Sequence, residues 1–334
     1  MQGKKILAFV MLSLAVFSFL GASLVTDLSV VAEGSAEAEA VARGGACNLL
    51  ILGRDNAAGL CDVLMLASFD PTSGRLCLLQ IPRDTYFAYT KGSYKKINAA
   101  PRVLGGADRL ADKLAEALGV HIDGYVEFDL AFVSRAVDML GGVELNVPCD
   151  MDYDDPAQGL SIHLKKGLQT LSGDEAASFV RFRSGYVRAD LGRMDAQKLF
   201  LAAFAKAFSG KIGARDVPKT MLLAMRYVKT DIRLDTAIAL ASGARRLPGE
   251  SITVLTLPGE EVQSSLSGAW YYILSREGCA EAIGQYVGGE ITDFDKEGLF
   301  ADKSRAGFYD IYQRKISAVP YTFDGLMRDG VTIE

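Results

Sequence analysis

Arginine side chains are concentrated in one short stretch of the sequence, from Arg181 to Gln197. Arg181, Arg183, Arg188 and Arg193 fall within thirteen residues of a chain whose net charge is −5. Arginine keeps its charge at any ordinary pH, and its planar guanidinium binds phosphate through two donors at once. Such a run is either a solvated basic face or half of a phosphate site, and the residues elsewhere in the chain decide between the two.

Carboxylates and a further arginine occur where predicted strands begin or end. Asp55 follows the first apolar run, Asp62 precedes the second, and Arg83 and Asp84 follow the third. Because ligands of open α/β sheets collect beyond the strand ends, we expect these side chains to lie beside the arginine run. Mg²⁺ typically takes one or two carboxylates together with phosphate oxygens. The pattern indicates a phosphate or pyrophosphate bound with a hard divalent cation, Mg²⁺ or Mn²⁺. The alternatives are turn-forming aspartates and a local Arg83–Asp84 ion pair.

Several other kinds of chemistry are disfavoured by composition. The chain has only two histidines, His121 and His163, far apart and without cysteine at metal spacing, which disfavours a zinc site or a Ser-His-Asp triad. Proton transfer therefore falls to carboxylates, tyrosine or lysine. The acidic balance argues against a general nucleic-acid binder, and the sequence contains no P-loop motif.

The elements that must position these residues alternate between strand and helix patterns. Continuous apolar runs of strand length indicate strands buried on both faces, so the sequence predicts an α/β fold with a central mixed sheet between helices. The predicted strands are 48–52, 63–69, 76–81, 125–128 and 252–257, and the predicted helices are 107–118, 130–140, one starting at Ser172, and 191–208. Ser172 and Glu175 form a predicted capping box, and Asp190 is a predicted helix cap. The segment Lys95–Asn98 is interpreted as a surface turn.

The N-terminus carries a strong membrane signal. Lys4 and Lys5 precede an uncharged run at 6–26, which as a helix would be about 32 Å long. The positive-inside rule then leaves residues 1–5 in the cytoplasm and exports the rest. We expect a single-pass membrane protein, with a linker at 27–46, an extracellular catalytic domain at 47–288 and an extension of unknown role at 289–334. A cleaved signal peptide is the alternative.

The chain carries an ordered set of motifs: Asn48–Asp55, Asp62, Ile81–Thr85, Lys96–Ala100, Gly141–Val143 and Arg181–Gln197, with a weaker echo near Tyr271–Leu274. Their order resembles that of the LytR-CpsA-Psr family. The resemblance covers roughly residues 47–260.

The resemblance implies a phosphotransferase. Such an enzyme moves a glycopolymer, such as teichoic acid or capsule, from a polyprenyl-pyrophosphate carrier to the muramic acid C6 hydroxyl of peptidoglycan. The resemblance further implies that Asp55 and Asp62 are the metal-linked aspartates. It implies that the pyrophosphate-binding arginines are Arg83, Arg181, Arg183 and Arg193. Asp190 and Gln197 match the remaining polar positions of the site. Asp84 and Asp190 are candidates for the base. The carrier's lipid requires an apolar slot, for which 107–118, 128–137 and 199–208 are candidates unless they are ordinary core.

The sequence also departs from the family pattern. Leu60 stands where family members often carry arginine, and Arg54 or Arg188 could compensate for the missing charge. Two other functions also stay open: a hydrolase that cleaves the pyrophosphate of lipid-linked glycans with water in place of the sugar acceptor, and, given the missing arginine, a lipid-binding envelope regulator without catalysis.

Overall fold

The apolar runs form the middle of a mixed β-sheet. A computed structural model describes residues 45–55, 59–89, 95–156, 160–211, 217–233, 236–237, 240, 247–264, 267–288, 299–300 and 313–331. The strands of the central sheet, in the order in which they lie side by side, are β14 (Tyr321–Thr322), β10 (Ile252–Thr256), β3 (Arg75–Ile81), β2 (Leu60–Asp70), β1 (Cys47–Asp55), β4 (Gly124–Asp129) and β9 (Val228–Thr230).

Helices cover both faces of this sheet. One face packs on α3 (Leu130–Met139), α4 (Gly173–Phe179) and α5 (Ala189–Lys211), and the other packs on α2 (Ala107–Leu118) and α7 (Arg276–Tyr286), with the short α1 (Ala100–Leu104) before α2. Along β1, Leu49 and Ile51 enter the first core, whereas Leu50 and Leu52 enter the second. Covering both faces explains why these strands are apolar throughout. The predicted α/β fold with a central mixed sheet between helices is confirmed.

The apolar faces considered for a lipid slot are part of these two cores. Phe132 of α3 and Phe204 of α5 lie in the first core, and Leu110 and Leu114 of α2 lie in the second, all fully buried. In the described residues these stripes therefore act as ordinary core packing.

Two predictions about helix ends have different outcomes. The capping box of α4 is confirmed, since the Ser172 side chain accepts from the Glu175 amide and the Glu175 carboxylate accepts from the Ser172 amide at 2.8 Å. The cap predicted at Asp190 is wrong. Helix α5 begins at Ala189, so Asp190 lies within its first turn, and its carboxylate pairs with arginines.

Strand directions bring the predicted site residues to one edge of the sheet. Strands β1, β3 and β4 run parallel to one another with β2 antiparallel between β1 and β3, so the end of β3 lies beside the start of β2. Leu64 of β2 pairs with Ile81 of β3, and two further residues along the same register bring Asp62 opposite Arg83.

A β-bulge at the start of β2 directs Asp62. Gly53 pairs with Val63, but the next residue, Arg54, pairs with Cys61, which leaves Asp62 as the extra residue of β2. Bulges bend a strand locally and re-aim side chains, often beside functional sites.

A second, smaller sheet stands next to this edge. It consists of β12 (Trp270–Leu274), β11 (Gly259–Gln263) and β13 (Gln313–Ile316). The Tyr272 amide donates to the Asp84 carbonyl at 2.9 Å, and the Tyr86 amide donates to the Tyr272 carbonyl at 2.8 Å. The loop that carries Arg83 and Asp84 is thereby attached to β12.

The remaining described elements complete the domain. There are two further antiparallel strand pairs: β5 (Val143–Val147) with β8 (Gly167–Leu171), and β6 (Met151–Asp155) with β7 (Leu160–Leu164). Helix α6 spans Val217–Tyr227. Part of the predicted extension at 289–334 joins the same fold, because β13, β14 and α8 (Phe323–Asp329) come from it and Phe323 and Leu326 are buried in the core. The domain boundaries themselves stay a prediction.

The predicted membrane segment at 6–26 lies outside the described residues, as do the tail at 1–5 and most of the linker. Among the residues that are described, no helix combines the length and apolar character needed to cross a bilayer.

Candidate functional site: an arginine-lined cleft

Three arginines converge on one partly buried carboxylate at the edge of the sheet. Asp190 Oδ1 lies 2.9 Å from Arg193 Nη2, 3.3 Å from Arg83 Nε and 3.8 Å from Arg183 Nε. Arg193 stands three residues after Asp190 on α5, so one helical turn places both on the same face. Arg83 also pairs with Asp62 through Nη1 and Oδ1 at 2.6 Å. The arginine cluster is defined here as Arg83, Arg183 and Arg193 with their counter-ions Asp62 and Asp190.

Positive charge exceeds negative charge in this cluster, with three guanidinium groups against two carboxylates. The pKa of Arg183 is lowered to about 10, first because burial disfavours its charged form and then because Arg193 and Arg83 repel it. A guanidinium held among like charges gains stability when an anion arrives. The cluster is therefore complementary to an anionic ligand.

The two carboxylates of the cluster are held ionised. Burial alone would raise the pKa of Asp190, but Arg193, Arg83 and Arg183 lower it below its usual range. Burial would likewise raise the pKa of Asp62, and neighbouring positive charge, including that of Arg193 and Arg83, lowers it. Arg83 stays charged, because the pull of Asp190, Asp62 and Asp84 outweighs its burial and raises its pKa.

The cluster opens into a cleft of about 710 Å³. Its floor carries Arg83, Arg183 and Asp190, and another wall comes from β11 and β12 of the smaller sheet. The residues that line it are Pro82, Arg83, Asp84, Arg183, Val187, Arg188, Asp190, Leu191, Glu261, Gln263, Trp270, Tyr271 and Tyr272. The volume is within the range of small-molecule sites.

Lys96 is a site residue that the sequence interpretation missed. Its Nζ lies 2.8 Å from Asp84 Oδ1 and 5.5 Å from the centre of the Tyr271 ring, and its side chain is only 15% exposed. The interpretation of Lys95–Asn98 as a surface turn is therefore wrong at Lys96. Ile97, the apolar residue directly after Lys96, is the sequence signal that the segment turns inward, and both Ile97 and Asn98 are buried.

Three of the predicted site residues, Arg181, Arg193 and Gln197, do not line the cleft. Arg193 is buried, with only 2% of its side chain exposed. Arg181 is half-buried on the turn after α4 and is absent from the cleft wall. Gln197 is buried on α5, and its side-chain amide donates to the Val180 carbonyl at 3.3 Å. This hydrogen bond directs the Gln197 side chain toward the chain segment that carries Arg181 and Arg183.

The two arginines considered as replacements at Leu60 are bound to other carboxylates. Arg54 Nη1 lies 3.0 Å from Glu127 Oε1, and Arg188 Nη2 lies 2.5 Å from Asp195 Oδ2. Arg188 still borders the cleft, whereas Arg54 does not. Of the two, only Arg188 is placed to meet a ligand.

Asp55 and Asp62 are the predicted metal ligands. The backbone places them at the same end of the β1–β2 pair, since Asp55 pairs with Leu60, but the side chain of Asp55 lies outside what the structure describes. No group of three metal-ligating side chains occurs among the described residues. The Asp62 carboxylate fits a hard cation, because it is ionised and lies at the cluster. Phosphate oxygens and Asp55 would have to complete the coordination.

A mixed sheet with an arginine-lined cleft at its edge defines an α/β protein whose cleft is complementary in charge to an anion. The sequence model of the LytR_cpsA_psr family matches residues 26–285, and the chain belongs to this family.

Individual relatives agree with this membership. The chain is 31% identical over 218 residues to the polyisoprenyl-teichoic acid–peptidoglycan teichoic acid transferase TagV of Bacillus subtilis strain 168, covering 64% of this chain and 56% of that protein. It is 30% identical over 249 residues to the corresponding transferase TagU of Oceanobacillus iheyensis, covering 70% of this chain and 72% of that protein. The crystal structure of B. subtilis TagV superposes with a TM-score of 0.61 at 27% identity, covering 73% of this chain and 98% of that one.

Replacing the shared carboxylate tests the electrostatics of the cluster. Asp190→Asn leaves the buried Arg193 and the partly exposed Arg83 and Arg183 without their common counter-ion, so we expect a loss of roughly 1–3 kcal/mol in the free energy of unfolding. Inorganic pyrophosphate should then raise the melting temperature of this variant more than that of the wild type. Asp150→Asn, at an exposed aspartate paired with Lys165, is the matched control. If pyrophosphate raises the melting temperatures of Asp190→Asn and Asp150→Asn by the same amount, the cluster does not carry an excess of positive charge.

The lowered pKa of Asp190 also predicts an acid dependence. A carboxylate with a depressed folded pKa stabilises the protein above its unfolded pKa of about 3.9, and this stabilisation is lost as the pH falls toward the folded pKa. Between pH 5 and about pH 2, the urea midpoint of the wild type should therefore fall more than that of Asp190→Asn. If the urea midpoints of the two proteins fall in parallel with pH, the pKa of Asp190 is the same in the folded and unfolded states.

Proposed function

We propose that the protein transfers a glycopolymer from a polyprenyl-pyrophosphate carrier to the muramic acid C6 hydroxyl of peptidoglycan, through a phosphodiester bond. The observation that carries the proposal is the arginine cluster, with its excess positive charge at the floor of a cleft. The names of the relatives, which describe teichoic acid transfer to peptidoglycan, support the same class of reaction.

The proposed reaction is a displacement at phosphorus. The acceptor hydroxyl oxygen attacks the phosphorus that bears the polymer, and the bond from this phosphorus to the bridging oxygen breaks. Polyprenyl monophosphate leaves, and the hydroxyl proton passes to an aspartate. Negative charge increases on the leaving phosphate, where Arg83 and Arg183 contact it and the buried Arg193 adds positive charge through its pairing with Asp190.

Asp84 is the base that we assign within this proposal. It lines the cleft next to Arg83, and its carboxylate is oriented by Lys96. Asp190, the other candidate, is enclosed by three arginines that lower its pKa, which makes it a weak proton acceptor. In this assignment Asp190 is the counter-ion that holds the arginines in position.

Asp62 and Asp55 are the residues that we assign to Mg²⁺ or Mn²⁺. A bound divalent cation supplies charge neutralisation at phosphate oxygens. The ionised state of Asp62 and its place beside Arg83 support this assignment.

Membrane attachment is a further part of the proposal. The uncharged run at 6–26, preceded by Lys4 and Lys5, supports a single membrane helix with the cleft outside the cell. This location would give the enzyme access to both a membrane-bound carrier and peptidoglycan.

The transfer reaction is tested with the full chain in detergent micelles. The substrates are a lipid-pyrophosphate-linked saccharide, a peptidoglycan oligomer and Mg²⁺, and the phosphodiester product is measured by mass spectrometry. We expect Arg83→Ala to reduce the rate by at least about 100-fold, the effect of removing one stabilising donor from a transition state. Arg109→Ala, at an exposed arginine of α2, is the matched control and should keep the wild-type rate.

The outcomes separate the three candidate functions. Product formation that depends on Arg83 supports the transferase. Release of saccharide at the same rate with and without peptidoglycan identifies a pyrophosphate hydrolase instead. Carrier binding without turnover leaves only the envelope regulator.

The membrane helix has its own test. The full chain should sediment with membranes and resist extraction by alkaline carbonate, whereas a chain without residues 1–33 should remain in the supernatant. Release of the full chain by carbonate, or a mature N-terminus near Gly21–Ser23, identifies a cleaved signal peptide and contradicts the anchor.

A further inference from the structure

One wall of the cleft carries an exposed aromatic side chain that the displacement at phosphorus does not use. Trp270 is the only tryptophan of the chain, and it is 44% exposed. On the β11–β12 pair, Gln263 lies opposite Trp270 and Glu261 lies opposite Tyr272. Residues paired in this way share one face of a sheet, and all four line the cleft. This face is called the aromatic wall.

The composition of the aromatic wall fits a sugar ring. The C–H face of a pyranose stacks on a flat indole, while its hydroxyl groups exchange hydrogen bonds with amide and carboxylate side chains. Beside Trp270, Glu261 supplies a carboxylate and Gln263 an amide oxygen that can accept, while the Gln263 Nε2 donates to the Gly268 carbonyl at 2.8 Å and so fixes the side chain. A single exposed apolar residue needs no explanation on an ordinary surface, but here it lies inside a cleft next to polar partners.

The charge of the aromatic wall and its position in the cleft indicate which kind of sugar would bind there. Glu261 places a carboxylate on the aromatic wall, which disfavours the repeating phosphates of an anionic polymer and favours a neutral pyranose. The wall is also attached to Asp84, since the Tyr272 amide donates to the Asp84 carbonyl at 2.9 Å. A sugar stacked on Trp270 therefore lies on the side of the cleft where the proposed base receives a proton.

We propose that the aromatic wall is the binding subsite for the acceptor sugar. This proposal rests on the proposed function for the identity of the acceptor, but saccharide binding at Trp270 does not depend on turnover. Trp270 supplies the stacking surface, and Gln263 and Glu261 orient the hydroxyl groups.

Tryptophan fluorescence of the full chain in detergent reports directly on this wall, because Trp270 is the only tryptophan. The probe is the neutral β-1,4-linked tetramer of N-acetylglucosamine, which resembles the glycan backbone of peptidoglycan. We expect a saturable change in emission. By calorimetry, Trp270→Ala should bind the probe at least about tenfold more weakly, the scale of one aromatic contact, and Trp270→Phe should recover most of the affinity.

Tyr153→Ala is the matched control, because Tyr153 is an exposed aromatic residue of β6 away from the cleft, and it should bind the probe as the wild type does. Thermal unfolding of each variant, followed by circular dichroism, verifies folding. Absence of binding by the wild type, or equal binding by Trp270→Ala, overturns the proposal.

In the transfer assay, Trp270→Ala should raise the KM for the peptidoglycan oligomer without raising that for the lipid-linked donor. A rise confined to the donor would assign the wall to the donor's sugars and overturn the acceptor assignment. Saccharide binding at Trp270 in a protein that catalyses no transfer would overturn the proposed function and leave the subsite standing.

Discussion

The attraction between Asp190 and three arginines is the interaction on which the rest of the site depends. Guanidinium groups as close as those of Arg83, Arg183 and Arg193 repel one another, and partial burial strengthens the repulsion. One shared carboxylate on α5, assisted by Asp62 on β2, offsets most of it. The positive charge that remains makes the cleft complementary to an anion before any ligand arrives.

The fold supplies these contacts from segments far apart in sequence. The antiparallel register of β2 and β3 brings Asp62 opposite Arg83, and the bulge at the start of β2 directs the carboxylate. The first turn of α5 adds Asp190 and Arg193 on one helical face. The smaller sheet then fixes the loop after β3 by backbone hydrogen bonds, so that Asp84 stands between the arginine cluster and the aromatic wall.

Much of the fold could be predicted because its strands are apolar on both faces, and Leu49 to Leu52 alone indicate burial on two sides. Side-chain partners were harder to predict. Asp190 has the residue type and approximate position of a helix cap, but its carboxylate pairs with the neighbouring arginines instead. Lys96 follows another lysine, a pattern typical of a surface turn. In the structure it contacts Asp84 and the Tyr271 ring and is therefore part of the site. Strands as short as Tyr321–Thr322 show no periodicity, which is why the role of the C-terminal segment was not predicted.

The central claim is that the arginine cluster holds the pyrophosphate of a lipid carrier. A crystal structure of the protein with a short prenyl pyrophosphate, such as geranyl pyrophosphate, tests it most directly. The account predicts phosphate oxygens within hydrogen-bond distance of Arg83 and Arg183, with Asp190 still paired to the buried Arg193. Pyrophosphate bound elsewhere on the protein, with the three arginines still paired only to Asp62 and Asp190, would contradict it.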